Sequence, residues 1–136
     1  MFISVAKHQK FVFTDLVAGA VVSVLVARGV DTTRLKQGKL VVRLEDGTFV
    51  NGATADLQLI PCWPAEDIPL ELMEDASAAR ICTVTVDNNT RKNSIKMSGA
   101  ADLGPAVNVY IKATQGGTST AAFVVAGSVG ILGWEA

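Results

Sequence analysis

Few side chains in this sequence have the chemistry of an active site, and the first of them is the lone histidine, His8. The Ser/His/Asp and Cys/His arrangements of nucleophilic catalysis need a histidine as base, so any such site would depend on His8 alone. A lone histidine near a terminus is usually just exposed. The sequence also contains no His-Glu-x-x-His motif, no zinc-ligand spacing and no Gly-rich phosphate loop. We therefore predict no catalytic residue, no metal site and no cofactor.

Paired carboxylates are the remaining route to acid–base catalysis, as in glycoside hydrolases. The candidates are Asp31, Glu45, Asp46, Asp56 and an acidic stretch of Glu66, Asp67, Glu71, Glu74 and Asp75. Most of them fall in predicted turns or in a long connection, where solvated acids are ordinary. The sequence therefore predicts a protein that is not an enzyme and binds no small-molecule substrate.

Polar residues in turns have a simpler role than metal binding. Asp87–Thr90 offers oxygen atoms, but Ca²⁺ takes about six to eight oxygen ligands and one turn supplies too few. We predict an Asx turn there, and we expect Asp31 to brace another turn through the amides of Thr32 and Thr33. Arg43 and Glu45 lie two apart on one strand face, where cross-strand charge pairs are expected.

The two cysteines, Cys62 and Cys82, are too few for a disulfide scaffold and do not have C-x-x-C spacing. A single bridge would form if their strands lie side by side. Free thiols are the preferred prediction, because cysteine often serves as a small core residue.

Composition indicates one domain with a partly covered surface. The 136 residues fit a single domain over 1–136. Apolar residues make up 49% and charged residues only 18%, against about 25% charged in an average soluble chain. A Val/Ala/Gly-rich β protein would account for this; burial of some surface in an oligomer is the interpretation we favour. The net charge of −1 does not provide the basic surface that nucleic acid requires.

Two apolar runs, at 16–27 and 121–134, are shorter than the about 20 residues of a membrane-spanning helix. Their content of Val, Gly, Ser and Thr is typical of buried strands. The N-terminus matches a signal peptide poorly, because Phe2–Val5 precedes the lysines and Asp15 interrupts the passage from the lysines to the apolar run. We expect a non-secreted chain without a membrane partner.

Turn residues divide the chain into about eight or nine strands, which predicts an all-β, antiparallel sandwich of jelly-roll type with two four-stranded sheets. The strands are predicted at 9–14, 20–28, 39–45, 54–60, 80–86, 94–97, 106–114 and 118–132. Turns are predicted at Asp46-Gly47, Asn51-Gly52, Asp87–Asn89 and Gln115–Gly117, the last as a hairpin. Residues 1–19 would form an N-terminal arm or edge strands, and 61–79 a long connection with a short helical turn within 68–80.

Four residues are candidates for subunit contacts. Trp63 and Trp134 are large apolar groups expected outside regular strands, and aromatic side chains concentrate at interface hot spots. Ile131 belongs to the C-terminal apolar stretch that ends at Trp134. Tyr110 should point away from the core, because Val107, Val109 and Ile111 on the same strand point inward.

Two blocks, VDTTRLKQGKLVVRLEDGTFVNGATADLQLIP and GPAVNVYIKATQGGTSTAAFVVAGSVGILG, cover roughly half of the chain. In the order of these features the chain resembles small jelly-roll virion proteins of tailed bacteriophages, such as head-decoration or accessory capsid proteins. The resemblance implies a non-enzymatic protein that multimerises on or within a particle. Its partners would be copies of itself and other particle proteins, and its location the virion, assembled in the host cytoplasm. The resemblance transfers no site residues.

A carbohydrate- or ligand-binding β-sandwich module is the alternative interpretation. It requires a concave sheet face with exposed aromatic stacking platforms, of which Trp63 and Tyr110 are the candidates. Aromatic residues make up only 6% of the chain, so structural assembly is the preferred hypothesis.

Overall fold

Strands make up the regular structure of the computed structural model, which describes residues 1–14, 19–49, 52–61, 81–116 and 123–135. No helix occurs within these ranges, so the all-β prediction is confirmed. The described strands are β1 (Phe2–Phe13), β2 (Val21–Asp31), β3 (Leu35–Thr48), β4 (Thr54–Pro61), β5 (Cys82–Val86), β6 (Ile95–Met97), β7 (Ala101–Asp102), β8 (Ala106–Thr114) and β9 (Phe123–Glu135).

The strands form two antiparallel sheets with the connectivity of a jelly roll. The first sheet has the order β1-β9-β3-β6, with β7 also paired to β3, and the second has the order β2-β8-β4-β5. The chain therefore passes from one sheet to the other at almost every connection, and remains in one sheet only at β4–β5 and β6–β7. Strands that alternate between two packed sheets in this way define the jelly roll. The predicted sandwich is confirmed, but its first sheet has five strands where four were predicted, because the short β7 also pairs with β3.

The core lies between the two sheets and follows from the period of two in the strand sequences. Leu40, Val42 and Leu44 of β3 are buried against the second sheet, and every second residue of β8 from Val107 to Ala113 is buried in the same cluster. Phe123 of β9 stacks on Phe13 with 5.1 Å between ring centroids. Each fully buried large apolar side chain contributes about 1.5–3 kcal/mol to folding.

The predicted turn at Asp46-Gly47 was wrong. Both residues belong to β3 and pair with Ala126 and Val125 of β9. The register shifts between Leu44 and Asp46, so the polar dipeptide follows a bulge and does not end the strand. The Oδ1 atom of Asp46 accepts a 2.8 Å hydrogen bond from the amide of Gly47, which is a turn-like contact within a continuing strand.

The predicted hairpin between β8 and β9 was also wrong. The bounds of β8 match the prediction, but β8 pairs with β2 and β4, whereas β9 pairs with β1 and β3. The connection after Gln115 therefore crosses between the sheets. The amide of Gln115 instead donates a 2.9 Å hydrogen bond to the carbonyl of Ala20, before β2.

The N-terminal residues form an edge strand of the first sheet, which was one of the two predicted arrangements. β1 begins at Phe2 and pairs along β9 to Phe13, so it is longer than the predicted strand at 9–14. The long connection at 61–79 and the helical turn within 68–80 fall almost entirely outside the described residues. Cys82 is a buried free thiol, as preferred from the sequence, whereas Cys62 lies outside the described residues.

Candidate assembly surface

The outer face of the first sheet carries the side chains that point away from the core. Lys39, Val41, Arg43 and Glu45 lie on it, as their alternation with the buried leucines and valine of β3 predicts. In the antiparallel pair of β3 and β6, Ile95 is opposite Arg43 and Met97 is opposite Val41. Directly opposite residues share one face of a sheet, so both β6 side chains join this outer face.

An apolar patch occupies this face, formed by Phe2, Val41, Ile95 and Met97 around Gly130. Phe2, Ile95 and Met97 are 57%, 64% and 50% exposed. The ring of Phe2 lies over the bare backbone of Gly130, where a Cβ atom would be only 2.2 Å from the Phe2 Cζ atom. Val41 is opposite Gly130 in the β3–β9 register. The glycine therefore leaves the space that the Phe2 ring occupies on this face.

A groove of about 260 Å³ adjoins the patch. Its apolar wall includes Phe2, Val41 and Ile95. Polar side chains line it as well, namely Ser4, Lys7, His8, Arg43, Glu45 and Ser128. An apolar region beside charged groups of both signs is the composition of a protein–protein interface, which has an apolar centre and a polar rim.

His8, Glu45 and Ser128 are brought together from three strands of the first sheet. The Nδ1 atom of His8 lies 2.5 Å from Oε2 of Glu45. The hydroxyl of Ser128 donates to Oε1 of Glu45 at 2.9 Å, and the amide of His8 donates to Ser128 Oγ at 3.3 Å. His8 has a φ of 49° and lies at an irregularity of β1, where the register shifts between Ala6 and Gln9.

The order of these contacts differs from that of a nucleophile and its base. In a catalytic relay the serine hydroxyl donates to the histidine, which the carboxylate then orients. Here the Ser128 hydroxyl and the His8 ring both contact the carboxylate of Glu45. The hydrogen bond with His8 is the largest cause that lowers the pKa of Glu45, and the Ser128 hydroxyl lowers it further. The cluster connects β1 with β3 across β9 on the outer face.

Four of the carboxylates considered for acid–base chemistry lie in the described chain, and each has a hydrogen-bond partner there: Asp31, Glu45, Asp46 and Asp56. The acidic stretch of Glu66, Asp67, Glu71, Glu74 and Asp75 lies outside the described residues. Asp31 accepts hydrogen bonds from the amide and hydroxyl of Thr33 at 3.0 and 2.7 Å, which confirms the predicted turn brace at Thr33. The Thr32 amide donates instead to the carbonyl of Pro105. Asp56 accepts from the Thr85 hydroxyl at 2.6 Å.

The predicted Asx turn at Asp87–Thr90 is confirmed. Oδ1 of Asp87 accepts from the amide of Asn89 at 2.8 Å, and the Asp87 amide donates to the Thr90 hydroxyl at 3.0 Å. Among the residues that the structure describes, no three His, Cys, Asp or Glu side chains are grouped to hold a metal ion. The described part of the chain also has no helix long and apolar enough to cross a membrane.

Two of the four residues predicted for subunit contacts are buried. Tyr110 points to the side of β8 opposite the core, as predicted, but it is only 4% exposed, so its predicted accessibility was wrong. It lies on an inner strand, opposite Leu25 of β2 and Gln58 of β4. Ile131 is 0% exposed and opposite Leu40, because it is in phase with the core residues of β9. Ile131 is therefore a core residue, and its assignment to the interface was wrong.

Trp134 lies on the outer face of the first sheet and is 50% exposed. Nζ of Lys39 lies 5.9 Å from the centroid of its ring, within the range of a cation–π contact. Its role in subunit contacts stays a prediction. Trp63 lies outside the described residues.

Sequence reasoning missed the residues that form most of the patch. Phe2 is far from Ile95 and Met97 in the sequence, and they share one face only because β1 and β6 flank the pair of β9 and β3. The available signal was a short apolar strand, predicted at 94–97, whose large side chains had no assigned place in the core.

Comparisons with known proteins find solved structures that resemble this chain but assign it to no family. No protein-family model matches the chain, and no curated protein matches it. A solved structure of infectious bursal disease virus, Gx strain, aligns at 14% identity and a TM-score of 0.49, over 96% of this chain and 30% of that one. The crystal structure of the VP2 subviral particle of infectious bursal disease virus aligns at 13% identity and a TM-score of 0.44, over 96% of this chain and 32% of that one. The chain thus spans about a third of the length of these proteins.

Proposed function

We propose that this chain is a structural virion protein, a capsid-decoration or accessory particle component of a tailed bacteriophage, which acts by multimeric assembly and not by catalysis. The apolar patch on the outer face of the first sheet is the observation that carries the proposal. The partners are copies of the chain itself and other particle proteins.

Three exposed large apolar side chains on one sheet face favour a covered surface. Burying apolar area contributes about 25 cal/mol per Å². Association with a partner that covers Phe2, Ile95 and Met97 is therefore favoured over leaving these side chains in water. The charged groups beside them, Lys7, Arg43 and Glu45, would form a rim that selects the orientation of the partner.

The fold is compatible with this function but does not select it. Jelly rolls serve viral capsids, lectins and cupins alike, and a function has to be argued from a site. The carbohydrate-binding alternative depended on exposed aromatic platforms, and Tyr110, one of its two candidates, is buried. The patch on the first sheet, with its mixed charged rim, matches a protein partner better than a sugar.

Substitution of Ile95 by lysine tests the proposal. Ile95 is the most exposed of the patch side chains, so lysine is tolerated in the free chain but introduces a charge into a covered interface. We expect the wild-type chain to form a defined oligomer, measured by size-exclusion chromatography with light scattering, and Ile95→Lys to weaken this association about tenfold or more.

Asn88→Lys is the matched control, since it adds the same charge in an exposed turn away from the patch. This variant should associate as the wild type does. A wild-type chain that stays monomeric at high concentration and binds no particle would contradict the proposal, as would equal effects of the two lysine variants.

A further inference from the structure

The four edges of the two sheets differ in how well they are protected. An edge strand exposes unpaired N–H and C=O groups, and proteins protect such edges with charges, bulges, proline or short strands. β6 is only three residues long. β1 carries Lys7 and Lys10 and has register shifts on both sides of Ala6. At the β5 edge, Nζ of Lys96 donates to the carbonyl of Thr85 at 2.5 Å.

β2 lacks these protections along its first half. Within the described chain β2 pairs only with β8, and its register with β8 is regular from Val21 to Leu25. This segment, Val-Val-Ser-Val-Leu, has no charge, no proline and no glycine. Its residues have the β-branched composition that favours extended pairing. The first irregularity comes only after Leu25, followed by the charged Arg28.

We propose that Val21–Leu25 pairs antiparallel with the same segment of a second copy, so that two four-stranded sheets become one eight-stranded sheet. The pairing rests on the proposed self-assembly, but it uses a different surface from the apolar patch. The register is centred on Ser23, with Val21 opposite Leu25 of the second copy and Val22 opposite Val24. A two-fold axis perpendicular to the sheet places the core-facing sides of the two copies on the same face of the joined eight-stranded sheet.

The absence of charge on Val21–Leu25 favours a second copy of β2 as the occupant of this edge, because self-pairing opposes no like charges. In the register centred on Ser23 no charged side chain of the segment is opposite another. A β1–β1 pair, by contrast, would bring Lys7 and Lys10 of the two copies together, and like charges across strands destabilise pairing. Self-pairing of β2 also needs no conformational change, because the segment is already extended in the sheet.

Ser23→Glu tests the pairing with little effect on the fold. Ser23 is opposite Lys112 of β8 in the same chain, so the new carboxylate has a favourable neighbour within the molecule. In the paired state this carboxylate would lie opposite the same carboxylate of the second copy. We expect the dissociation constant of the β2-mediated pair to rise about tenfold or more, because like charges are brought together. Ser23→Thr is the neutral control and should remain close to the wild type.

Substitution of Ser23 by cysteine provides an independent readout. Opposite residues of antiparallel strands have Cα atoms about 4.5–5.5 Å apart, within the range of about 4.4–6.8 Å that a disulfide spans. We expect Ser23→Cys to form a covalent dimer under mild oxidation, faster than either the wild type or Val21→Cys. In the Val21→Cys variant the new thiol would face Leu25 of the second copy and not another introduced thiol.

The outcomes separate this inference from the proposed function. If Ile95→Lys weakens association while Ser23→Glu does not, the β2 pairing is wrong and the proposed function stands. Equal rates of crosslinking in Ser23→Cys and Val21→Cys also overturn the pairing. If Ser23→Glu weakens association and Ser23→Cys crosslinks rapidly while Ile95→Lys leaves association unchanged, the patch-based function is wrong and the pairing stands. A wild-type chain that does not associate contradicts both.

Discussion

Glu45 shows how one side chain connects three strands at the residue scale. Its two oxygens contact His8 of β1 and Ser128 of β9, while Glu45 itself belongs to β3. Hydrogen bonds to an ionised carboxylate favour the charged form, which is why the pKa of Glu45 lies below its ordinary value of 4.5. A depressed pKa in the folded state implies stability that is present above the ordinary pKa and lost as pH falls through the folded pKa.

Removing the imidazole should therefore raise the pKa of Glu45 towards 4.5. His8→Asn is the suitable variant, because asparagine also tolerates the left-handed backbone that His8 adopts at a φ of 49°. Carbon-detected NMR titration of the Glu45 carboxyl group measures the change. The rise should be incomplete, since the Ser128 hydroxyl still donates.

Asp31 is the internal control for this titration. Its pKa is also lowered, but mainly by hydrogen bonds from Thr33, which are independent of His8. The Asp31 midpoint should stay the same in His8→Asn. An unchanged Glu45 midpoint in that variant would show that the contact with His8 does not form in solution.

Local residue chemistry was predictable where the contacts are local. The brace from Asp31 to Thr33 and the Asx turn at Asp87 both span two or three residues, and short polar side chains favour such contacts wherever they occur. The contact between His8 and Glu45 spans 37 residues. No spacing in the sequence indicates such a pair, because it depends on which strands become neighbours.

At the scale of elements, long-range pairing outweighs local turn preference. Asp46-Gly47 has the residues of a hairpin turn, but β9 is 13 residues long and continues to pair with β3 through Val124. The gain from the continued ladder and the core contact of Val125 exceeds the local preference of the dipeptide. Turn composition alone therefore predicts β3 to be shorter than it is.

Gly127 allows β9 and β3 to approach at the bulge in β3. A Cβ atom at this position would be 2.1 Å from the carbonyl oxygen of Arg43, and the backbone cannot move aside as a side chain can. We expect Gly127→Ala to destabilise the fold by about 1–3 kcal/mol, the usual cost of overpacking. Denaturant unfolding followed by circular dichroism measures this as a lower midpoint.

Gly99→Ala is the control for this substitution. No atom of the described residues lies within 4 Å of the place that a Cβ atom would take there, so the effect of this substitution should remain within about 0.5 kcal/mol. If both alanine variants unfold at the wild-type midpoint, the close approach of β3 and β9 at Gly127 is not present in the folded protein.

For the molecule as a whole, the alternation of apolar and polar residues predicted the sandwich but could not predict the order of its strands. The inward positions of β3 and β8 follow directly from their apolar period of two. The crossing from β8 to β9 leaves no local signal, because a Gly-rich connection suits a hairpin and a sheet-to-sheet crossing equally well. The apolar patch depends on that order and could not be predicted for the same reason.

The response of assembly to salt distinguishes the apolar patch from its charged rim. Association by apolar burial strengthens in sulfate, because kosmotropic salts are excluded from protein surface, and changes little in sodium chloride. Association held mainly by exposed charges such as Lys7 and Arg43 weakens as the Debye length falls to about 3 Å at 1 M salt. We expect wild-type association, measured by analytical ultracentrifugation, to tighten in ammonium sulfate and to persist in about 1 M sodium chloride, since the three most exposed side chains of the patch are apolar. Ile95→Lys should reduce the gain in sulfate, and Asn88→Lys should preserve it. Dissociation of the wild type by sodium chloride alone would assign the assembly to the charged rim and remove the patch as its main source of free energy.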